Sequence, residues 1–215
     1  MINLNKDLIA GGRINLSKDD NGNALTRIFF GANWGMINKG GGFLGFGSSK
    51  EKVDLDSSAV CLDENKRPIE TISYYHLRAN NNSIFHSGDD RGGDESDDGC
   101  DNETIAVDLP NVDSRVHHIV FILNNYTQQK FEKLPYMGLR IYTTANGKIS
   151  RHISDEGTIL AQVKLDPKSD KYIGKKGIIL GEVYRHNGEW KFKTIDVTGT
   201  WGSIGEITRE LPSII

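Results

Sequence analysis

Two Asn-Gly steps constrain the fold of this chain more than any other feature. Asn146-Gly147 lies in TTANGKIS and Asn187-Gly188 in YRHNGEWKF, each between runs of β-branched and aromatic residues. Successive positive φ angles suit Asn-Gly in a type I′ turn, whose twist matches that of the strands it joins, so each step predicts a tight β-hairpin. A third turn is predicted in LDENKRP. The stretches RINL, TRIFFGANW, VDLDSSAVCL, TISYYHL, TIAVDL, HHIVFIL, LRIYTT, GIILGEVYRH and EWKFKTIDV are short, rich in strand formers and closed by turn residues. Only NYTQQKFEKL offers a helical turn or two. Many short strands without alternating helices predict an all-β chain, an antiparallel β-sandwich. No linker-like shift in composition divides the 215 residues, so one domain over 1–215 is expected, with a Gly-rich insert at about 35–52. A domain of this length buries about 70% of its unfolded surface and needs neither a disulfide nor a structural metal to fold. A metal, where one binds, is therefore expected to be functional.

The formal charge is −3, but the stretch from Asp89 to Glu103 holds eight acids against Arg91 alone. Outside it stand 21 acidic and 25 basic residues, so the acidity is a local site. The mild positive remainder has no consecutive Lys or Arg run to track phosphates, which argues against nucleic acid. Cys61 and Cys100 form neither a disulfide framework nor a CxxC pair. MINLNKDLIAGGRINL lacks a signal-peptide core, and no run approaches the roughly 18 apolar residues of a spanning helix. These features point to a soluble protein of a reducing cytoplasm.

In VDLDSSAVCL, alternation turns Val53, Leu55, Ala59 and Cys61 to one face and places Asp54 and Asp56 together on the other. A second acidic element leads into TIAVDL, where Ile105, Val107 and Leu109 alternate inward. Two readings stand side by side: a solvated acidic surface loop, as Gly92, Gly93 and Gly99 would permit, or a cage for a hard cation. Calcium takes six to eight oxygen ligands in flexible geometry and fits such a loop better than magnesium. No register matches an EF-hand, and His and Cys are not spaced for zinc. Without a cation, two carboxylates about 4 Å apart repel by roughly 4 kcal/mol at an effective dielectric near 20. The empty loop is therefore expected to be mobile and the ion to order it. Cys100 among these acids should resist ionisation.

GGGFLG, from Gly40 to Gly45, matches GxGxxG but lacks a strand-to-helix unit around it, so a nucleotide loop is not supported. A flexible loop is one reading; another is that Phe43, Leu44 and Phe46 dip into a membrane or a partner's groove in a calcium-dependent membrane-binding module. A divalent-metal phosphoesterase is a further alternative, with His86 as acid or base beside the acidic cluster. No Ser-His-Asp order or nucleophile elbow supports it. His117 and His118 adjoin on one strand and face opposite ways, and a non-catalytic protein is expected.

GGRINLSKDDNGNALTRIFFGANW, VDLDSSAVCLDENKRPI, IFHSGDDRGGDESDDGCDNETIAVDLPNV and GEVYRHNGEWKFKTI, in that order, resemble the tellurium-resistance TerD family of bacterial stress proteins. The likeness runs from about Lys6 to Thr194, and the insert GMINKGGGFLGFGSSKEK is most similar to the TerZ branch. The resemblance implies a β-sandwich with calcium-binding loops at one end, taking one or two ions, without enzymatic activity and acting against tellurite and other chemical stress. It implies other tellurium-resistance proteins or a membrane-associated complex as partners, and a cytoplasmic place peripheral to the inner membrane. The family's aspartate pair matches Asp54 and Asp56; its Gly-Asp-Asn matches Gly88, Asp89 and Asp90. Its Asp-Gly followed by Asp-Asp-Glu matches Asp98 and Gly99, then Asp101, Asn102 and Glu103, with Cys100 inserted. The metal residues implied are thus Asp54, Asp56, Asp89, Asp90, Asp98, Asp101, Asn102 and Glu103. The family's Asp after the Trp is Gly35 here, and its Tyr-Asn-Asn is Tyr75, His76 and Leu77.

Overall fold

The computed structural model describes residues 6–7, 11–18, 22–40, 49–127, 129–148 and 157–215. Phe43, Leu44 and Phe46 of the insert lie outside the described residues. In chain order the strands are β1 (Lys6–Asp7), β2 (Arg13–Asn15), β3 (Arg27–Trp34), β4 (Ile37–Lys39), β5 (Ser49–Glu51), β6 (Leu55–Leu62) and β7 (Pro68–Ile72). They continue with β8 (Ile84–His86), β9 (Glu103–Asp108), β10 (His118–Asn125), β11 (Met137–Thr144), β12 (Gly157–Leu165), β13 (Gly177–His186) and β14 (Glu189–Gly199). A C-terminal helix, α1 (Ile204–Ile214), follows.

Among the described residues, one six-stranded sheet runs β1-β12-β11-β3-β9-β8 and a second runs β2-β14-β13-β10-β6-β7. Neighbours pair antiparallel except β1 with β12. The inward faces share one apolar core, in which Phe30 of β3 stacks on Phe121 of β10 with ring centroids 3.6 Å apart. Burial of each such ring contributes about 1.5–3 kcal/mol. This is the antiparallel sandwich that the strand pattern predicts. Val53, Leu55, Ala59 and Cys61 face that core, as do Ile105, Val107 and Leu109.

The outer side of β6 is covered too: Val60 and Leu62 pack with Val120, Ile122 and Ile179 beneath Ile207 and Leu211 of α1. The helix was not anticipated, although its start carries a legible signal. Ser203 Oγ accepts from Glu206 N at 3.3 Å while Glu206 Oε2 accepts from Gly202 N at 2.9 Å, a capping arrangement that satisfies N-terminal amides otherwise left without partners. Among the described residues, the expected helix in NYTQQKFEKL reduces to a 3₁₀ turn at Phe131–Lys133.

The predicted turns divide. Asn187 and Gly188 have φ of 53° and 78°, as a type I′ turn requires, and join β13 to β14. At the other step only Gly147 is left-handed, with φ 64°, and its N donates to Thr144 O at 3.1 Å. Since β12 begins at Gly157, that connection is no two-residue hairpin. TISYYHL is likewise not a strand throughout: β7 stops at Ile72 and a tight turn follows, with Ser73 and His76 exchanging backbone hydrogen bonds of 3.1 Å. The Gly-rich insert at about 35–52 contains β4 and β5, which pair with each other. Among the described residues, no helix is long and apolar enough to cross a membrane.

Candidate metal centre

Asp54 precedes β6, and Asp56 stands two residues on, on the same side of the strand. Strand pairing sets Asp56 opposite Asn124 of β10 and prolongs the ladder with Tyr126 N donating to Asp54 O at 3.0 Å. The loop after β8 carries Asp89 up to this pair. One carboxylate oxygen from each of Asp54, Asp56 and Asp89 lies within 4.8 Å of the others. The three therefore converge from two separate parts of the chain.

Their electrostatics are unfavourable without a cation. Asp56 is 3% exposed. Burial, then the charges of Glu103, Asp54 and Asp89, push its carboxyl up to about 7, with only the Asn124 amide opposing. Asp54 is raised as well, by burial first and then by Asp89 and Glu103. Asp54 Oδ1 and Asn124 Oδ1 are both buried without a hydrogen-bond partner. Asn124 Nδ2 donates weakly to Asp56 Oδ2 at 3.4 Å. The Arg91 guanidinium meets Asp89 at 2.8 Å, but its own side chain is 80% exposed, so it screens the rim and leaves the buried pair uncompensated. An all-oxygen donor set with unpartnered buried oxygens suits a hard divalent cation such as calcium.

The remaining candidates have other partners. Asp90 Oδ1 accepts from the amides of Gly92 and Gly93 at 2.8 and 3.0 Å, closing a turn in its own loop, and Asp90 Oδ2 accepts from Asn102 Nδ2 at 3.3 Å. Asp98 Oδ1 accepts from Cys100 N at 2.8 Å. Asn102 Oδ1 accepts from Trp34 N at 2.8 Å and moors the loop to β3. Asp101 turns to Arg140 of β11, 2.6 Å from its Nε, and lies so close over Gly31 that a Cβ there would meet its Oδ2 at 2.0 Å. Burial raises Asp101 to about 6 despite the opposing guanidinium. The loop is further fixed by Val53 N donating to Gly92 O and Asp94 N to Trp34 O, at 2.9 and 3.0 Å. The Cys100 thiol is raised, by burial and then by Asp98.

Glu103 lies between the sheets behind the cluster. Its Oε2 accepts from Ser57 N and Ser57 Oγ, both at 2.7 Å, and its Oε1 from Asp90 N at 3.3 Å. His86 Nε2 is 3.1 Å from Ser57 Oγ, so serine, histidine and glutamate meet. The proton pattern is not that of an activated nucleophile. His86 Nδ1 accepts from Gly88 N at 3.1 Å, which places the imidazole proton on Nε2, facing Ser57 O at 3.1 Å. That nitrogen cannot take the serine proton, and His86 is fully buried. The group braces the start of β6 against the acidic loop.

Sequence reasoning missed two features at this end. Asn124 is recognisable only from strand register, which sets it against Asp56. Tyr74 packs edge-on against both Tyr75 and Tyr126, with centroids 5.2 and 6.3 Å away, and Tyr75 and Tyr126 are 70% and 59% exposed. The departures have their own geometry. A Cβ on Gly35 would lie 2.5 Å from the Tyr136 ring and 2.7 Å from Pro135, so no aspartate fits there without displacement. His76 closes the turn with Ser73, and Leu77 is partly exposed beside it.

The family description that matches is the TerD domain, over residues 4–210. The tellurium resistance protein TerZ of Serratia marcescens is 27% identical, over 97% of this chain and 97% of its own length. General stress protein 16U of Bacillus subtilis (strain 168) is 30% identical, over 94% and 95%. Among solved structures, a homologue of telluride resistance protein (TerD) from Streptomyces coelicolor A3(2) is 14% identical and superposes with a TM-score of 0.62. The match covers 88% of this chain and 99% of that one and shows a shared fold.

Proposed function

This chain belongs to the TerD domain family, whose description spans nearly its whole length, and from that premise we propose that it is a non-catalytic calcium-binding protein of the stress response. Resistance to tellurium compounds and general stress are the roles named for its relatives. The observation that carries the calcium reading is the convergence of Asp54, Asp56 and Asp89, together with a buried Asp54 Oδ1 that has no hydrogen-bond partner. One ion held by these carboxylates, with Asn124 Oδ1 as a neutral donor, would neutralise charge that burial otherwise makes costly. Glu103 and Asp90 serve as supports of the loop.

The ion would then act as a switch on recognition. Tyr74, Tyr75 and Tyr126 stand beside the cluster, and exposed tyrosines with an apolar body and a polar tip are favoured at interfaces. Fixing Asp54 and Asp56 would fix the ladder to Tyr126 and with it the aromatic face. The partner is another protein of the tellurium-resistance group or a membrane-associated complex, met from the cytoplasm.

A calcium titration of chelator-treated protein by calorimetry tests this, with thermal melts in calcium, in magnesium and in neither. Calcium should bind and raise the melting temperature, magnesium should not substitute, and Asp54→Asn and Asp56→Asn should each abolish the effect. Absence of binding below millimolar calcium would overturn the reading.

A further inference from the structure

The outer face of the second sheet is divided in two. One half is apolar and lies under α1. The other, beyond Ile215, is open and strongly cationic, a pocket of about 580 Å³. That volume falls within the roughly 300–1,000 Å³ typical of small-ligand sites. Arg13, Lys66, Lys191 and Lys193 line it together with His118 and His186. We propose that this pocket is an anion site for a small soluble phosphorylated molecule.

Strand register builds the site. Arg13 of β2 is paired with Lys193 of β14, and Lys193 in turn with Glu182 of β13. One step along, Lys191 is paired with Tyr184, and Tyr184 with His118 of β10. Like charges set directly opposite one another, as Arg13 and Lys193 are, oppose strand pairing unless an anion sits between them. The pocket's own carboxylate answers Lys193 but, among the described residues, makes no ion pair with Arg13 or Lys191. Glu182 is 1% exposed and fully engaged beneath the surface, its Oε1 with Lys193 Nζ at 2.7 Å and its Oε2 with His118 Nδ1 at 2.9 Å. A buried carboxylate gripping Nδ1 fixes the imidazole's orientation and turns Nε2 away from Glu182, the arrangement by which histidines are held ready for a ligand.

The chemistry selects the ligand class. Arg13 and Lys191 beside an oriented imidazole match a dianionic oxyanion, which accepts several charge-assisted hydrogen bonds at once. The Tyr184 ring, with Lys193 Nζ 5.8 Å from its centroid, offers a flat wall for an organic part. A concave pocket of this size suits a small molecule better than a polynucleotide.

The test uses the full chain, stripped of calcium, with pyrophosphate as probe in calorimetry and in ³¹P line broadening. Saturable binding is expected, weakened at least about tenfold by Arg13→Ala with Lys191→Ala, two residues that leave the Glu182 contacts in place. Asp54→Asn should leave it unchanged, which separates this site from the calcium centre. Line broadening that neither saturates nor responds to the double variant would overturn the proposal, and it needs no variant to be detected in the native chain. Retention on vesicles containing phosphoinositide without any binding of pyrophosphate would assign the face to a lipid surface and overturn it also. So would concentration-dependent self-association relieved by the double variant without pyrophosphate binding, because the occupant would then be the acidic loop of a second copy.

Discussion

Asp56 and Asp101 belong to the same acidic end of the molecule, and burial raises both, to about 7 and about 6. Their surroundings differ in one respect. Asp101 has a guanidinium 2.6 Å away, with Arg140 Nη2 also donating to Gly99 O at 2.8 Å. Asp56 faces Asp54, Asp89 and Glu103 and has only an amide for relief. A buried carboxylate that brings its own cation is a structural tie. One surrounded by other carboxylates is stable as an anion only if the cation comes from outside. The acidic end of the molecule thus contains two devices, one centred on Asp56 of β6 and one on Asp101 of the loop.

The largest effect should come from breaking the tie. Arg140→Ala leaves Asp101, whose side chain is 1% exposed, without a counter-charge, and such losses cost about 3–5 kcal/mol. Urea unfolding should register this while calorimetry finds calcium binding intact; loss of calcium binding would merge the two devices into one. Asp56→Asn should do the reverse. In the absence of metal it should match or exceed the wild type in stability, because a charge repelled by three neighbours is gone. In calcium at 100 times Kd it should lack the stabilisation of about 2.7 kcal/mol that the wild type gains.

Titration separates the pair more finely. The folded pKa of Asp56, about 7, lies above its ordinary value of 3.8. Between those values the metal-free fold holds a proton that the unfolded chain has lost. This group's contribution is therefore fully present below pH 3.8 and is lost as pH rises through 7, at up to about 1.4 kcal/mol per pH unit. Asp101 adds a slope of the same sign that ends near pH 6. On the proposed calcium reading the ion would have to displace the Asp56 proton, so its affinity should fall roughly tenfold per unit as pH drops below 7. Saturating calcium should abolish the slope between pH 6 and 7 and reduce it below 6, where only the Asp101 part should persist; melts across that range in calcium and in chelator would reveal whether the two carboxylates titrate apart.

Much of this arrangement was legible before the fold was known. Alternation in VDLDSSAVCL orients Asp54 and Asp56 together because side chains in any strand alternate, whatever the sheet around it. The Asn187-Gly188 turn follows from local sterics alone. What stayed hidden depends on register and on chain reversals. Asn124 becomes a neighbour of Asp56 only through the pairing of β10 with β6. Asp101 and Asp89 carry the same side chain in the same loop, and only the path of that loop, moored by Asn102 to Trp34, sends one toward Arg140 and the other toward Asp54. The cationic pocket is scattered over four strands and leaves no run of charge to read. The helix was overlooked although Ser203 and Glu206 stand at capping spacing, because strand formers dominate the chain before it.

The smallest expected effect is the most discriminating for the site's extent. Asp98 is exposed, and its Oδ1 accepts from Cys100 N, a contact that an asparagine side-chain oxygen reproduces. Asp98→Asn therefore removes charge and keeps the turn. If Asp98 were a direct ligand, losing its charge would weaken calcium binding about tenfold or more, as loss of a charged contact typically does. If it contributes only to the field over the loop, stability should change by no more than about 0.5 kcal/mol. Calcium affinity should then fall about twofold at low salt and less at 0.15 M, where the Debye length is about 8 Å. The salt dependence decides between these, since a ligand bond to the ion persists at high ionic strength and an exposed charge acting from a distance does not.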